Sequence, residues 1–389
     1  MSTSMTRWLE RQASVRDRRG LVRRPLPRAA DEQFIDLASN DYLGLATDQR
    51  LADAAAAAAS MWGAGATSSR LVAGTTRLHL DLEQELAMLA GMETALVFSS
   101  GYLANMGVIT GLGGPGTLIV ADEHCHASMI DGFRLSRSRT ESFTHNRVED
   151  AGRLLAGRPE PRALIAVESL YSVLGDEAPL AGLLALAEQH DAVLLIDEAH
   201  SLGVTGAGTF QGRGSVAGTA LAGHPNVIVT ATLSKALGSQ GGAVLGSPLL
   251  REHLINRARS FIFDTGLAPA SAAAALAGVR IIREEPWRAG SVRTNAAALA
   301  AGLAPALAAR GAEVEHGAGG VQSIAMPSAE SALAATGAAR TAGVRIGCFR
   351  PPSVPDGISR LRLTARATLT PKEIEDSCAV LRSILEELP

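Results

Sequence analysis

Ala192-Val193-Leu194-Leu195-Ile196-Asp197-Glu198-Ala199-His200 is the stretch on which the fold turns. Its apolar run does not alternate with polar residues, which is the pattern of a strand buried on both faces. The run stops at a carboxylate, with a histidine three residues on. Runs of the same kind stand at Ala95–Ser99, Thr117–Ala121, Ala163–Glu168, Val227–Thr230 and Gly242–Leu245. Helical patterns such as Leu78–Leu89 and Leu180–Gln189 lie between them. Short apolar runs alternating with helices predict an α/β domain over 47–285, built on a mostly parallel sheet.

Residues 1–46 read as an N-terminal arm, with a polar helix around Trp8–Arg18 and the basic stretch Arg23-Arg24-Pro25 before Ile35–Asn40. Glu285-Pro286 marks the boundary to a smaller α+β domain over 286–389. That part carries an Ala-rich helix (Val292–Arg310) and short strands at Val321–Met326, Val344–Cys348 and Leu361–Thr364. A terminal helix begins at Pro371, which suits the first helical position after Thr370 as N-cap.

Composition narrows the function. With 47% hydrophobic residues in 389, the chain has material for a sizeable core and is not disordered as a whole. A net charge of −3 argues against nucleic-acid binding. No apolar run approaches the roughly 20 residues of a membrane span. Cys125, Cys348 and Cys378 are an odd, scattered set without a CxxC, as expected of a reduced cytoplasmic protein with neither a disulfide framework nor a zinc site. The Arg-rich opening is interrupted by Glu10 and Asp17, and reads as a surface helix rather than a transit peptide. Of 36 basic residues only Lys235 and Lys372 are lysine, so chemistry that needs a side-chain primary amine has two candidates.

Lys235 stands in Thr230-Ala231-Thr232-Leu233-Ser234-Lys235-Ala236-Leu237-Gly238, just past an apolar strand. Open α/β sheets place their ligand crevice at such strand ends. A partly desolvated lysine has a depressed pKa and forms Schiff bases. Asp-Glu-Ala-His at 197–200 without a Walker A loop is not an ATPase signature. A carboxylate there suits the protonated ring nitrogen of a cofactor, with His200 near a phenolic oxygen. Phe98–Asn105 is a strand, a small-residue turn and a helix start; it suits a phosphate or a plain tight turn. Gly111–Gly116 is a connector. His124-Cys125-His126 invites a metal, but its spacing is too close for a common finger and no second ligand cluster is near. One of these histidines instead suits stacking on an aromatic ring.

An aldehyde-reactive lysine, a ring-nitrogen carboxylate, a phosphate turn and a stacking histidine are together what pyridoxal 5'-phosphate requires. In their order they resemble the aspartate-aminotransferase-like, fold type I pyridoxal enzymes. Within these the chain resembles the α-oxoamine synthases nearly end to end. The strings that carry this are Ala38–Leu45 (ASNDYLGL), Gly63–Gly74 (GAGATSSRLVAG), Ser100–Asn105, His126-Ala127-Ser128 and Glu168–Leu180 (ESLYSVLGDEAPL). They continue through Asp197–His200, Thr232–Gly242 (TLSKALGSQGG) and Arg350–Arg362 (RPPSVPDGISRLR).

The resemblance implies that Lys235 holds the cofactor as a Schiff base and that Asp197 pairs with its ring nitrogen. His126 would stack on the ring, in preference to His124. Gly101, Tyr102 and Thr232 would bind the phosphate, and Ser172 and His200 would contact the phenolic oxygen. Arg23, with Arg24 as the one-residue alternative, would meet substrate, as would His126 and Ser353, and Arg350 would take the amino-acid carboxylate. Ser353 stands where the family usually has threonine, and Val173-Leu174 replaces the usual pair after Ser172. The Arg-Pro-Pro-x-Val-Pro string points to the branch that condenses L-alanine with a pimeloyl thioester, CoA- or carrier-protein-linked, with loss of CO2. The alternatives are a sibling synthase using glycine or serine and another acyl-CoA, or a non-catalytic scaffold of the same fold. The family also implies a homodimer with active sites at the subunit interface.

Overall fold

In the computed structural model, which describes residues 3–351 and 353–387, the apolar runs become the main sheet. Its seven strands lie in the order Thr94–Phe98, Gly242–Gly246, Val227–Thr232, Ala192–Asp197, Arg162–Glu168, Thr117–Asp122 and Arg139–Phe143. Gly242–Gly246 runs against both neighbours, and the other pairs are parallel. The absence of alternation in these runs has a direct cause. Leu194 and Ile196 pack on one face with Leu82, Leu86 and Val279, whereas Leu195 packs on the other with Val108, Met129 and Phe133. Each face is therefore covered by helices, as a parallel sheet requires.

The strand Arg139–Phe143 has no counterpart among the apolar runs. It lies at the sheet edge with most of its side chains exposed, so burial never selected an apolar pattern there. Helices form at Arg77–Ala90 and Leu180–Gln189, close to the sequence expectation. The Ala-rich helix starts earlier than expected, running Trp287–Ala308 directly after Pro286.

A second sheet has the order Ile35–Leu37, Val344–Phe349, Arg360–Thr364, Val321–Ala325 and Glu315–His316. Its edge strand comes from the N-terminal segment and pairs in parallel with Val344–Phe349, Leu37 opposite Ile346. Leu37 is buried there with Leu299, Leu361, Leu363 and Leu381. The terminal helix Pro371–Glu387 opens with a reciprocal cap: the Glu373 amide donates to Thr370 Oγ1 (3.2 Å) and the Thr370 amide to Glu373 Oε2 (2.8 Å). The N-terminal helix, Ser4–Arg18, buries none of its residues within the chain. Among the described residues no helix is long and apolar enough to cross a membrane.

Four parallel strands of the main sheet end at Asp122, Glu168, Asp197 and Thr232. Side chains that no single segment contains are thereby gathered at one edge of the sheet.

Candidate active site

A cleft of about 240 Å³ opens at this edge, and Gly101, Tyr102, His126, Asp197, His200, Thr232 and Lys235 all line it. An outer part of about 420 Å³ shares His126, His200 and Lys235 and adds Ser172, Ser353 and Arg362. The sequence-derived cofactor residues therefore lie on one continuous surface.

At one end the chain leaves the strand Thr94–Phe98 and enters the helix Gly101–Leu112. Ser100 caps this helix: its Oγ accepts from the Leu103 amide (3.2 Å) and its carbonyl from the Ala104 amide (3.0 Å). The other first-turn amides, those of Gly101 and Tyr102, are left for the cleft. Thr232 faces them: a Cβ added at Gly101 would lie 3.1 Å from Thr232 Cβ, and one at Gly242 would collide with the Gly101 amide. Bare backbone amides at a helix N-terminus beside a hydroxyl make a phosphate cradle, and glycine at both positions keeps it open.

In the middle, a hydrogen-bonded chain holds Asp197. Asn105, one turn into the same helix, donates to Asp197 Oδ2 (2.7 Å) and Ser128 Oγ (2.9 Å), and its own oxygen accepts from Thr230 Oγ1 (2.7 Å). Ser128 Oγ lies 2.7 Å from His126 Nδ1, which also accepts from the Ser128 amide at 3.2 Å. Burial, and then the ammonium of Lys235, lower the His126 pKa against the pull of Asp197, so the ring is neutral. With Nδ1 accepting, its proton sits on Nε2. Partly buried as it is, His126 lines the cleft wall, available to stack. None of Asn105, Ser128 and Thr230 was singled out as a site residue from the sequence, because their roles arise only from this chain of contacts.

Lys235 Nζ lies 2.7 Å from His200 Nε2, and His200 Nδ1 lies 2.5 Å from the hydroxyl of Tyr42, which is fully buried. Burial, followed by the charges of Lys235 and Arg362, holds the His200 pKa well below its usual value. A neutral His200 that accepts from Lys235 at Nε2 carries its proton on Nδ1, toward Tyr42. Burial draws the Lys235 pKa down to about 8, against the pull of Asp197. Glu168, opposite Asp197 in strand register, is also buried, and burial and the adjacent Asp197 charge raise its pKa to about 8. Its Oε2 accepts from the Ser172 amide (3.1 Å), while Oε1 is buried without a protein partner. Two carboxyls side by side do not both ionise cheaply, and here Glu168 is the one that keeps its proton.

The arginines are arranged differently from the sequence expectation. Arg350 is buried, and its guanidinium donates to the carbonyls of Gly20 and Val22 (3.0 Å for the latter), tying down the arm; it is not among the side chains that line the cleft. Arg362, two residues into the next strand, does line it. Its Nε donates to the Ser172 carbonyl (2.7 Å) and Nη1 to Asn40 Oδ1 (3.0 Å), while Nη2 is buried and unpartnered. A fixed guanidinium on the cleft wall with Lys235, its Nε and Nη1 engaged, keeps one unpaired nitrogen, Nη2, for a carboxylate. Arg23 donates to Ser353 Oγ (2.7 Å) at the outer rim, and Arg24 is exposed. The site thus offers a phosphate cradle, a ring-nitrogen carboxylate, a neutral stacking imidazole, an activated amine and a carboxylate clamp. This set fits pyridoxal 5'-phosphate together with an amino acid.

The family model described as aminotransferase class I and II matches residues 32–381. The 8-amino-7-oxononanoate synthase of Mycobacterium avium is 49% identical over 383 residues, covering 98% of this chain and 97% of the relative. A serine palmitoyltransferase from S. paucimobilis, solved with bound pyridoxal phosphate and myriocin, superposes with a TM-score of 0.86 at 29% identity, covering 98% of both chains. The 8-amino-7-oxononanoate synthase of Francisella tularensis superposes with a TM-score of 0.77 at 25% identity, over 91% of this chain and 98% of that one.

Proposed function

The chain belongs to the class I and II aminotransferase family, and from that premise we propose that it condenses L-alanine with a pimeloyl thioester. The products are 8-amino-7-oxononanoate, CO2 and the free thiol. The observation that carries this reading is the near-full-length similarity, at 49% identity, to a synthase of that name, in a chain whose cleft joins an activated lysine to a carboxylate clamp.

Pyridoxal phosphate, when bound, supplies an aldehyde for the amine and a cationic ring that accepts the electron pair left at the α-carbon. Gly101, Tyr102 and Thr232 would hold its phosphate, Asp197 would keep a proton on the ring nitrogen, and His126 would stack on the ring. Lys235, with its lowered pKa, is in part neutral at physiological pH, and its Nζ takes the proton from the amino acid's α-carbon and later returns it. His200 and Tyr42 orient that Nζ. Arg362 would grip the amino-acid carboxylate and so hold the α-carbon within reach of Lys235; holding reacting groups together contributes on the order of 7–11 kcal/mol at its limit. Protonated Glu168 adds a neutral donor where a second anion would compete with Asp197.

The enzyme works as a homodimer in the cytoplasm. Support for the dimer comes from exposed apolar side chains such as Trp8, Trp62, Leu71 and Val72, which the monomer leaves uncovered. The test is a panel of alanine, glycine and serine against pimeloyl, acetyl, succinyl and palmitoyl thioesters, read by mass spectrometry. Alanine with pimeloyl thioester is expected to give the highest kcat/KM. A higher value for any other pair refutes the assignment.

A further inference from the structure

His145, stacked against His124 of the outer cleft wall, is wedged between two carboxylates: Nδ1 lies 2.8 Å from Asp122 Oδ1 and Nε2 2.8 Å from Asp176 Oδ2. Asn146 ties the same pair, its amide donating to Asp122 Oδ2 (2.9 Å) and its Nδ2 to Asp176 Oδ2 (2.8 Å). Both ring nitrogens of His145 donate, which is the imidazolium state. Burial opposes that charge, but Asp122 and Asp176 outweigh it and raise the pKa to about 9. His124 stacks on this cation, with ring centroids 4.2 Å apart and planes 23° from parallel. Tyr171 meets both rings edge-on.

The backbone of His124 is fixed by its amide, which donates to Asp122 Oδ1 (2.8 Å). Burial first, and then the positive charge of His145, push the His124 pKa down, against Asp122, Asp356 and Glu123. Asp356 is itself engaged by Arg360 Nη2 (2.6 Å). His124 is therefore a neutral imidazole with one N–H to give, and no described residue forms a hydrogen bond with its ring. That ring lies on the wall of the outer cleft with Ser172, Ser353 and Arg362. The inner cleft is taken by the cofactor, and Arg362 by the amino-acid carboxylate. The remaining wall faces whatever approaches the α-carbon from outside.

We propose that His124, oriented by the Asp122–His145–Asp176 bar behind it, donates a hydrogen bond to a carbonyl oxygen of the acyl thioester and so helps bind the acyl donor. The assignment rests on the condensation reading above. His124→Phe keeps the stack on His145 and removes the donor, whereas His124→Gln keeps a donor. In holoenzyme, H124F raises the KM for pimeloyl-CoA about five- to tenfold, the loss of one neutral hydrogen bond. The kcat, the alanine KM and the cofactor absorbance stay within about twofold of the parent, and H124Q stays close to the parent throughout. Titration of holoenzyme with pimeloyl-CoA in the absence of alanine reads the same contact without turnover. An unchanged thioester KM in H124F, or an equal rise in both variants, overturns the contact while leaving the condensation standing. A parent protein that neither binds nor consumes the thioester overturns both.

Discussion

Mixing cofactor-free protein with pyridoxal phosphate across a pH series reads the protonation of one amine, because the other lysine, Lys372, is exposed on the terminal helix beside Asp376. A lysine at its ordinary pKa of 10.5 is neutral to about 0.03% at pH 7, whereas Lys235, drawn down to about 8, is neutral to about 9%, a roughly 300-fold gain. The cause is burial of the ammonium, only partly offset by Asp197. Stopped-flow absorbance of the bound cofactor should therefore appear about fivefold faster at pH 8 than at pH 7. A further gain of about twofold should follow by pH 9, and then a plateau. Lys235→Ala should give no such absorbance, and Lys372→Ala should match the parent. A rate that climbs tenfold per pH unit through pH 10 would refute the argument, since it is the behaviour of an ordinary lysine.

Removing Arg362 and Arg350 separates substrate binding from arm docking. Arg362→Ala should raise the alanine KM about 10- to 100-fold, the loss of charge-assisted hydrogen bonds. Arg350→Ala should leave that KM within about threefold and instead lower thermal stability; a large alanine KM effect confined to Arg350→Ala would reverse the two roles. The His145 pair makes stability pH-dependent. Its folded pKa of about 9 lies above the ordinary 6.5, so the stabilisation is complete below pH 6.5 and is lost as pH rises through 9. The contribution is at most about 3 kcal/mol, or on the order of 4 °C in Tm for a chain of this length. His145→Gln should flatten the Tm profile between pH 6.5 and 9.5, and an unchanged profile would show that the pair contributes nothing.

Local physics made much of this molecule readable in one dimension. The strand Ala192–Asp197 announced itself because both faces are buried, and burial on both faces demands an unbroken apolar run. The Thr370 cap was legible because capping depends on side chains three residues apart. The scarcity of lysine left Lys235 as the amine at a strand end. Other elements carried no such mark. Ile35–Leu37 is three residues long and becomes a strand only by pairing with Val344–Phe349, some 300 residues away. Arg139–Phe143 is an edge strand whose exposed side chains had no reason to be apolar.

The sequence by itself determined the layered α/β fold, the cofactor chemistry and the residues at the strand ends, since each follows from residue type and local order. Only the tertiary structure decided which arginine lines the cleft. Arg350 and Arg362 stand in one string and carry the same charge, but the first is used up on the carbonyls of Gly20 and Val22, and the second keeps a donor free. The same holds for the chain of contacts from Thr230 through Asn105 to Asp197, and for the stacking of His124 on His145. In the first two cases the physical quantity that matters is an unsatisfied or shared hydrogen bond. Where such a bond falls depends on distances between segments that are far apart in the chain.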